Sequence, residues 1–132
     1  ENISPTDVPT GKERILLVDD EEPVLRSERI MLESLGYKVT AVAKSDKALK
    51  LFRAHPEEFD LVITDQTMPT MTGSELSRKV LRIRSDVPII LCTGFSEAID
   101  EGKTRDEGIR KFVMKPFTTR EMAETIRSVL DA

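Results

Sequence analysis

The chain has 132 residues, of which 39% are hydrophobic and 33% charged, and its formal net charge is −4 at pH 7. This length favours one domain with a single core. The acidic balance argues against nucleic acid or an anionic membrane as the main partner. No apolar stretch approaches the roughly 20 residues of a membrane span, and no signal peptide is recognisable.

The single cysteine and the single histidine are both predicted to lie outside any functional site. Cys92 falls within an apolar run and cannot form an internal disulfide, so the fold does not depend on an oxidising compartment. His55 precedes Pro56 at the end of a helical pattern, and no second histidine or cysteine stands at metal-ligand spacing. We therefore expect a packed thiol and a surface imidazole.

The first residues of the chain differ in composition from the rest. Residues 1–13 contain Pro5, Pro9 and Gly11 among polar residues, which is typical of a linker or flank. The domain itself is predicted over residues 14–132. Because the chain does not begin with methionine, we expect it to be part of a longer protein.

The domain opens with a predicted strand at 14–19. A helix follows, with Pro23 at an early position and Gly36 just beyond its end. Apolar residues recur at helical spacing between these two, and Glu28 is the one charged residue on that face.

The middle of the chain continues the alternation of strands and helices. A second strand is predicted at 38–43, and Ser45 is the expected N-cap of the helix that follows it. A third strand is predicted at 59–64. Thr72 and Glu75 then have the spacing of a capping box, which predicts the start of another helix.

The last third of the chain has the same pattern. Strands are predicted at 87–92 and 111–114, and the segment 96–107 between them is a highly charged, weaker helix. Thr118 and Glu121 form a second capping-box pattern, which opens the final helix. Strands that alternate with helices predict an α/β fold, in which a doubly wound, five-stranded parallel sheet carries five helices on its two faces.

Polar residues stand at the ends of these predicted strands. Asp19 and Asp20 end the first strand, Asp65 follows the third, Thr93 follows the fourth and Lys115 follows the fifth. The carboxyl ends of parallel strands lie along one edge of the sheet, where ligands bind. Three carboxylates, a hydroxyl and an ammonium are therefore expected in one pocket.

This set of groups indicates phosphoryl transfer. Clustered carboxylates need a cation or shifted pKa values, and Mg²⁺ prefers hard oxygen ligands. A carboxylate can also attack phosphorus, while Lys115 supplies charge, Thr93 a hydroxyl and Gly94 a closely approaching N–H. Each feature alone is common in turns and caps, and the conjunction of all of them carries the prediction.

Four segments together resemble a known family: Leu16-Leu17-Val18-Asp19-Asp20-Glu21, Thr64-Asp65-Gln66-Thr67-Met68-Pro69 with Gly73, Cys92-Thr93-Gly94, and Lys115-Pro116-Phe117. With them the chain is similar to the receiver domain of two-component response regulators over about residues 13–131. The resemblance implies a flavodoxin-like strand order, 2-1-3-4-5.

The resemblance also implies roles for the site residues. Asp65 matches the phosphoacceptor, and Asp19 and Asp20 match the acidic pair that organises Mg²⁺. Thr67 matches the position whose backbone carbonyl is a metal ligand. Lys115 matches the lysine that binds the phosphoryl group.

Two further positions match the conformational switch of the family. Thr93 corresponds to the switch hydroxyl and Phe112 to the switch aromatic, although Phe112 also suits ordinary core packing. Phe95 resembles a residue at the pocket mouth. It is expected either to contact a partner or shield the phosphoryl group, or simply to pack on the neighbouring loop.

The implied partner is a histidine kinase or a histidine phosphotransfer protein, which would dock near Pro23, Val24, Pro116 and Phe117. The domain would catalyse its own aspartyl phosphorylation and dephosphorylation in the cytoplasm, as a monomer or weak dimer. The stretch 93–97 resembles receivers of hybrid sensor kinases, so we expect the domain to lie C-terminal to other modules.

Three other readings of the strand-end residues are less favoured. Magnesium phosphatases with an aspartate nucleophile usually carry it on the first strand in an Asp-x-Asp pattern, which Asp19-Asp20 does not match. A receiver-like scaffold that no longer takes phosphate usually lacks one of the site residues that this chain retains. A nucleotide or flavin binder is disfavoured because no glycine-rich loop follows the first strand.

Overall fold

A computed structural model describes residues 8–94 and 108–132 of the chain. The described strands are β1 (Arg14–Val18), β2 (Lys38–Val42), β3 (Leu61–Asp65), β4 (Ile89–Thr93) and β5 (Lys111–Met114). The described helices are α1 (Glu22–Ser34), α2 (Ser45–Ala54), α3 (Gly73–Ile83) and α4 (Thr119–Leu130), with a short 3₁₀ helix at Pro56–Glu58. The helix predicted over 96–107 lies outside the described residues.

The five strands form one parallel sheet in the order β2-β1-β3-β4-β5, which confirms the predicted fold class and strand order. Val18 of β1 pairs with Thr64 of β3, and Asp65 pairs with Cys92 of β4. Thr93 pairs with Met114 of β5. This register brings the carboxyl ends of four strands to the same edge of the sheet, which is where the polar residues stand.

Hydrophobic side chains cover the sheet on both faces. Ile15 and Leu17 of β1 pack into a core layer with residues of α1 and α4. Leu16 and Val18 point to the other layer, which includes residues of α2 and α3. Burial on both faces explains why the central strands are continuous apolar runs, and it places Cys92 in the first of these layers.

Local signals fix the helix ends, with one exception. Both predicted capping boxes are present, at Thr72 with Glu75 and at Thr118 with Glu121. Ser45 was predicted to be an N-cap, but Lys44 occupies that position and Ser45 is the first residue of α2. Ser45 is only 3% exposed, and its buried hydroxyl makes no hydrogen bond within the described residues, so it does not cap the helix.

Residues 8–13 contact the start of β2 and the end of α4. The N–H of Gly11 donates to the Leu35 carbonyl at 3.0 Å, and the N–H of Lys38 donates to the Glu13 carbonyl at 3.0 Å. The Arg127 guanidinium donates to both carboxylate oxygens of Glu13, at 2.8 and 3.1 Å. The expectation of a linker or flank over 1–13 stays a prediction, and its described part makes these specific contacts.

A glycine with positive φ ends α1 as predicted. Gly36 has φ +103°, and its N–H and that of Tyr37 donate to the Glu33 and Leu32 carbonyls at 3.0 and 3.3 Å. This is the pattern of a Schellman motif. A Cβ atom at Gly36 would also collide with the carbonyl oxygen of Gly11.

None of the helices in the described ranges has the length and apolar character needed to cross a bilayer.

We predict that Gly36→Ala lowers the free energy of unfolding by about 1–3 kcal/mol, because alanine must adopt a left-handed conformation and displace residue 11. Urea denaturation measures this change. Glu33→Ala, an exposed helical position of α1, serves as the control. Equal stabilities for Gly36→Ala and the wild type would contradict the role given to this turn.

Candidate functional site

Four strand-end residues meet at the carboxyl edge of the sheet. The Lys115 ammonium lies 3.0 Å from an oxygen of Asp19 and 2.8 Å from an oxygen of Asp65. Asp20, Asp65, Thr67, Gly94 and Lys115 line one open cavity of about 400 Å³. The structure therefore brings the predicted acids and the predicted lysine together, while Thr93, the predicted hydroxyl, ends β4 next to the lining residue Gly94.

The three carboxylates form a compact group of oxygen donors. One ligand atom from each of Asp19, Asp20 and Asp65 lies within 4.8 Å of the others. Asp19 is 1% exposed and Asp65 is 7% exposed, whereas Asp20 is partly open to solvent. Hard oxygen donors beside an open cavity, where bound water can remain, fit a Mg²⁺ ion.

A single ammonium balances the two most buried carboxylates. Burial by itself lowers the pKa of Lys115, but the hydrogen bonds to Asp65 and Asp19, with the charges of both, outweigh it and raise that pKa above the usual range of lysine. Lys115 is therefore held as a cation. The three carboxylates and one ammonium leave a formal net charge of −2, which a single Mg²⁺ ion would balance.

Asp19 is further restrained from the side of α1. Its Oδ1 atom accepts a hydrogen bond from the Glu21 N–H at 3.0 Å, while Oδ2 accepts from Lys115. This arrangement fixes the Asp19 carboxylate at both oxygens and places the start of α1 against the site.

The loop after Asp65 is held by contacts that the sequence did not indicate. The side-chain oxygen of Gln66 accepts hydrogen bonds from the Ser74 N–H and hydroxyl at 2.8 and 2.9 Å. A Cβ atom at Gly73 would collide with the Asp65 carbonyl, so glycine allows α3 to begin directly against the end of β3. Thr70 has φ +72°, a strained conformation for a β-branched residue.

Thr93 and Phe112 lie on neighbouring strands, β4 and β5. Thr93 ends β4, is 9% exposed, and its carbonyl accepts a hydrogen bond from the Lys115 N–H at 2.7 Å. Phe112 on β5 is partly buried against the core layer on the side of α2 and α3. Phe95 lies outside the described residues.

A groove beside the site contains a carboxylate that sequence reasoning did not assign to it. Residues of α1 and of the loop between β5 and α4 line this groove, among them Val24, Glu28, Lys115 and Phe117. Burial raises the pKa of Glu28 to about 7; the Lys115 charge opposes this, and the charges of Asp19 and Asp65 add to it. The only signal in the sequence was the single charge on an otherwise apolar helix face.

Comparison with known proteins places this chain in a family. The family model described as response regulator receiver domain matches residues 15–127. A probable transcriptional regulator, ycf27, of Porphyridium aerugineum is 38% identical over 120 residues, covering 90% of this chain and 48% of that protein. Sensor kinase CckA of Brucella abortus is 30% identical over 122 residues, covering 92% of this chain and 13% of that protein. The chain thus spans about half, or less, of the length of these relatives.

Solved structures agree with the sequence comparisons. A response regulator receiver domain protein from Clostridium thermocellum superposes with a TM-score of 0.86 at 27% identity, covering 90% of this chain and 94% of that one. The receiver domain of a Pseudomonas aeruginosa sensor histidine kinase, with a magnesium ion coordinated in its active-site cleft, gives a TM-score of 0.81 at 26% identity. That alignment covers 92% of this chain and 100% of the other. The chain belongs to the family of receiver domains of two-component response regulators.

Proposed function

We propose that Asp65 accepts a phosphoryl group from a phosphohistidine with Mg²⁺ bound beside it, and that the resulting charge changes the conformation of the domain. The observation that carries this proposal is the contact of one ammonium with two buried carboxylates. Lys115 touches both Asp19 and Asp65 at the mouth of a cavity that Asp20 and Thr67 also line.

The reaction requires little chemistry beyond positioning and charge balance. An oxygen of Asp65 attacks phosphorus in line with the departing imidazole, so a P–O bond forms as the P–N bond breaks and the imidazole leaves with its electron pair. Lys115 exchanges its contact with Asp65 for one with a phosphoryl oxygen. Mg²⁺, when bound, neutralises charge on the phosphoryl oxygens.

We infer the metal ligands from the hydrogen bonds that the carboxylate oxygens accept and from their access to the cavity. Both oxygens of Asp19 already accept hydrogen bonds, from Glu21 N–H and from Lys115. Asp20 and Asp65 line the open cavity. We therefore assign Asp20, Asp65 and the Thr67 carbonyl as direct ligands, with Asp19 orienting the site from behind.

The switch would act through Thr93 and Phe112. A phosphoryl group on Asp65 presents acceptor oxygens next to β4, to which the Thr93 hydroxyl can donate. Movement of this hydroxyl would leave space that Phe112, already partly buried, can enter. Phosphorylation then shifts a balance between two states, by no more than the difference in its affinity for them.

The donor protein would dock at the groove between α1 and the loop that follows β5. Pro23, Val24, Pro116 and Phe117 line it, directly beside Lys115. Its occupant would be a helical bundle of a histidine kinase or a histidine phosphotransfer protein that carries the phosphohistidine. We expect this exchange in the cytoplasm, with the domain monomeric or weakly dimeric and joined in the full protein to further modules, such as those of a hybrid histidine kinase.

We predict that Asp65→Asn abolishes labelling by acetyl phosphate in the presence of Mg²⁺, because the amide cannot act as the nucleophile. Intact-mass measurement follows the reaction, since the chain has no tryptophan for a fluorescence assay. Asp86→Asn, at an exposed side chain, should label like the wild type. Labelling of Asp65→Asn at the wild-type rate would overturn the assignment of the acceptor.

We predict that Asp20→Ala melts about 2–4 °C higher than the wild type without metal, because it relieves repulsion within the carboxylate group. The same variant should lose most of the stabilisation that Mg²⁺ gives the wild type. Thermal melts with and without Mg²⁺ test both statements, with Glu57→Ala as a control for loss of a charge. A lower melting temperature together with an undiminished Mg²⁺ effect would contradict the proposed site.

We predict that Thr93→Ala is still phosphorylated but responds less to it. Beryllofluoride, which imitates the phosphoryl group, should shift backbone NMR resonances around Phe112 in the wild type and in the control Thr40→Ala. The shifts should be smaller in Thr93→Ala, because the hydroxyl that links Asp65 to β5 is gone. Equal shifts in all three proteins would exclude this link.

A further inference from the structure

The groove beside the site combines an apolar lining with one carboxylate that lacks a partner. Val24 and Met31 lie one turn before and one turn after Glu28 on the same face of α1, and Phe117 lines the opposite side. Within residues 8–94 and 108–132, the Glu28 carboxylate forms no hydrogen bond or ion pair. It is thus an acidic group set among apolar side chains.

The nearest cation is already engaged elsewhere. Lys115 lines the same groove, but its ammonium lies against Asp19 and Asp65 at 3.0 and 2.8 Å. The other charged residue of the lining, Glu21, is acidic. The groove therefore offers a carboxyl group without a direct cationic partner to whatever enters it, and a cation seated beside this group would favour its charged form.

Docking of a protein would increase the cost of keeping Glu28 charged. Glu28 is already partly buried, and a helix seated over Val24 and Phe117 would remove more water from the carboxylate. Burial of a carboxylate without a partner is strongly unfavourable. A tight complex therefore requires that the incoming surface donate hydrogen bonds to Glu28, and a cationic donor does so best.

We propose that Glu28 is a specificity-determining residue of the docking groove and that it binds an arginine or lysine side chain of the phosphohistidine donor. An arginine fits both parts of the groove, because its guanidinium can pair with Glu28 while its plane lies against the ring of Phe117. Donors with an acidic or apolar residue at this point would leave Glu28 unpaired and be discriminated against. This inference rests on the proposed function and adds the chemistry of the partner to it.

The test compares a protein donor with a small one. Purified phosphorylated histidine phosphotransfer domains and histidine kinases are first screened against the wild-type chain, and the fastest donor is kept. We expect Glu28→Gln to lower kcat/KM with this protein donor about tenfold, and to leave the rate of labelling by acetyl phosphate nearly unchanged. The difference from the wild type should shrink as salt is added.

A matched variant separates docking from a general effect of charge. Glu33→Gln removes the same charge from an exposed position of α1, at a side chain that is 43% exposed and paired only with Arg29 in the described structure. It should transfer like the wild type. Glu28→Lys should transfer poorly, and replacing the contacting basic residue of the donor by glutamate should restore it.

The outcomes distinguish this inference from the proposed function. If acetyl phosphate does not label the wild type, the proposed function fails. If it does, but Glu28→Gln accepts phosphate from the protein donor as fast as the wild type or faster, the groove does not bind a cation and the inference is wrong. Equal losses with both donors would also overturn it, because Glu28 would then act on Asp65 and not on docking.

Discussion

The constraint on which this structure depends is the contact of one ammonium with two buried carboxylates, beside a third, at the edge of a parallel sheet. Asp19 and Asp65 are almost fully buried, and Lys115 is the cation that touches both. Without it, two charges would lie close together out of water, which is costly. In the function proposed above, the same contact would keep the site ready for a cation and an anion, because Lys115 would move from Asp65 to a phosphoryl oxygen and remain paired.

The rest of the fold serves to hold these groups in register. Parallel pairing of β1, β3, β4 and β5 sets the heights of the strand ends, and packing on both faces keeps the strands from sliding. Contacts of the loop after β3 then fix the position of α3. Gln66 accepts hydrogen bonds from Ser74, and Gly73 allows α3 to approach the Asp65 carbonyl closely. The groove beside α1 extends the site outward, and Lys115 lines both the groove and the cavity at Asp65.

The sequence alone could predict what depends on local signals. Strand-end polar residues, two capping boxes and the alternation of strands and helices each depend on short stretches of sequence, and the parallel sheet and the shared pocket were predicted from them. The strand order was predicted from the resemblance to receiver domains. The position of Ser45 inside α2 could not be predicted in this way, because packing against the core overrides its preference for a cap. Two tertiary contacts could not be predicted either. Arg127 and Glu13 pair although they lie far apart in the chain, and the approach of Glu28 to Lys115 depends on how α1 packs on the sheet.

The most direct test of the central claim is a crystal structure of this chain with Mg²⁺ and beryllofluoride. The account predicts a beryllofluoride adduct on Asp65, the metal bound by Asp20, Asp65 and the Thr67 carbonyl, and the Lys115 ammonium on a fluorine while it keeps its contact with Asp19. An adduct on another residue, or a metal bound away from these three ligands, would contradict it. So would a Lys115 side chain that remains on Asp65 and does not contact the adduct.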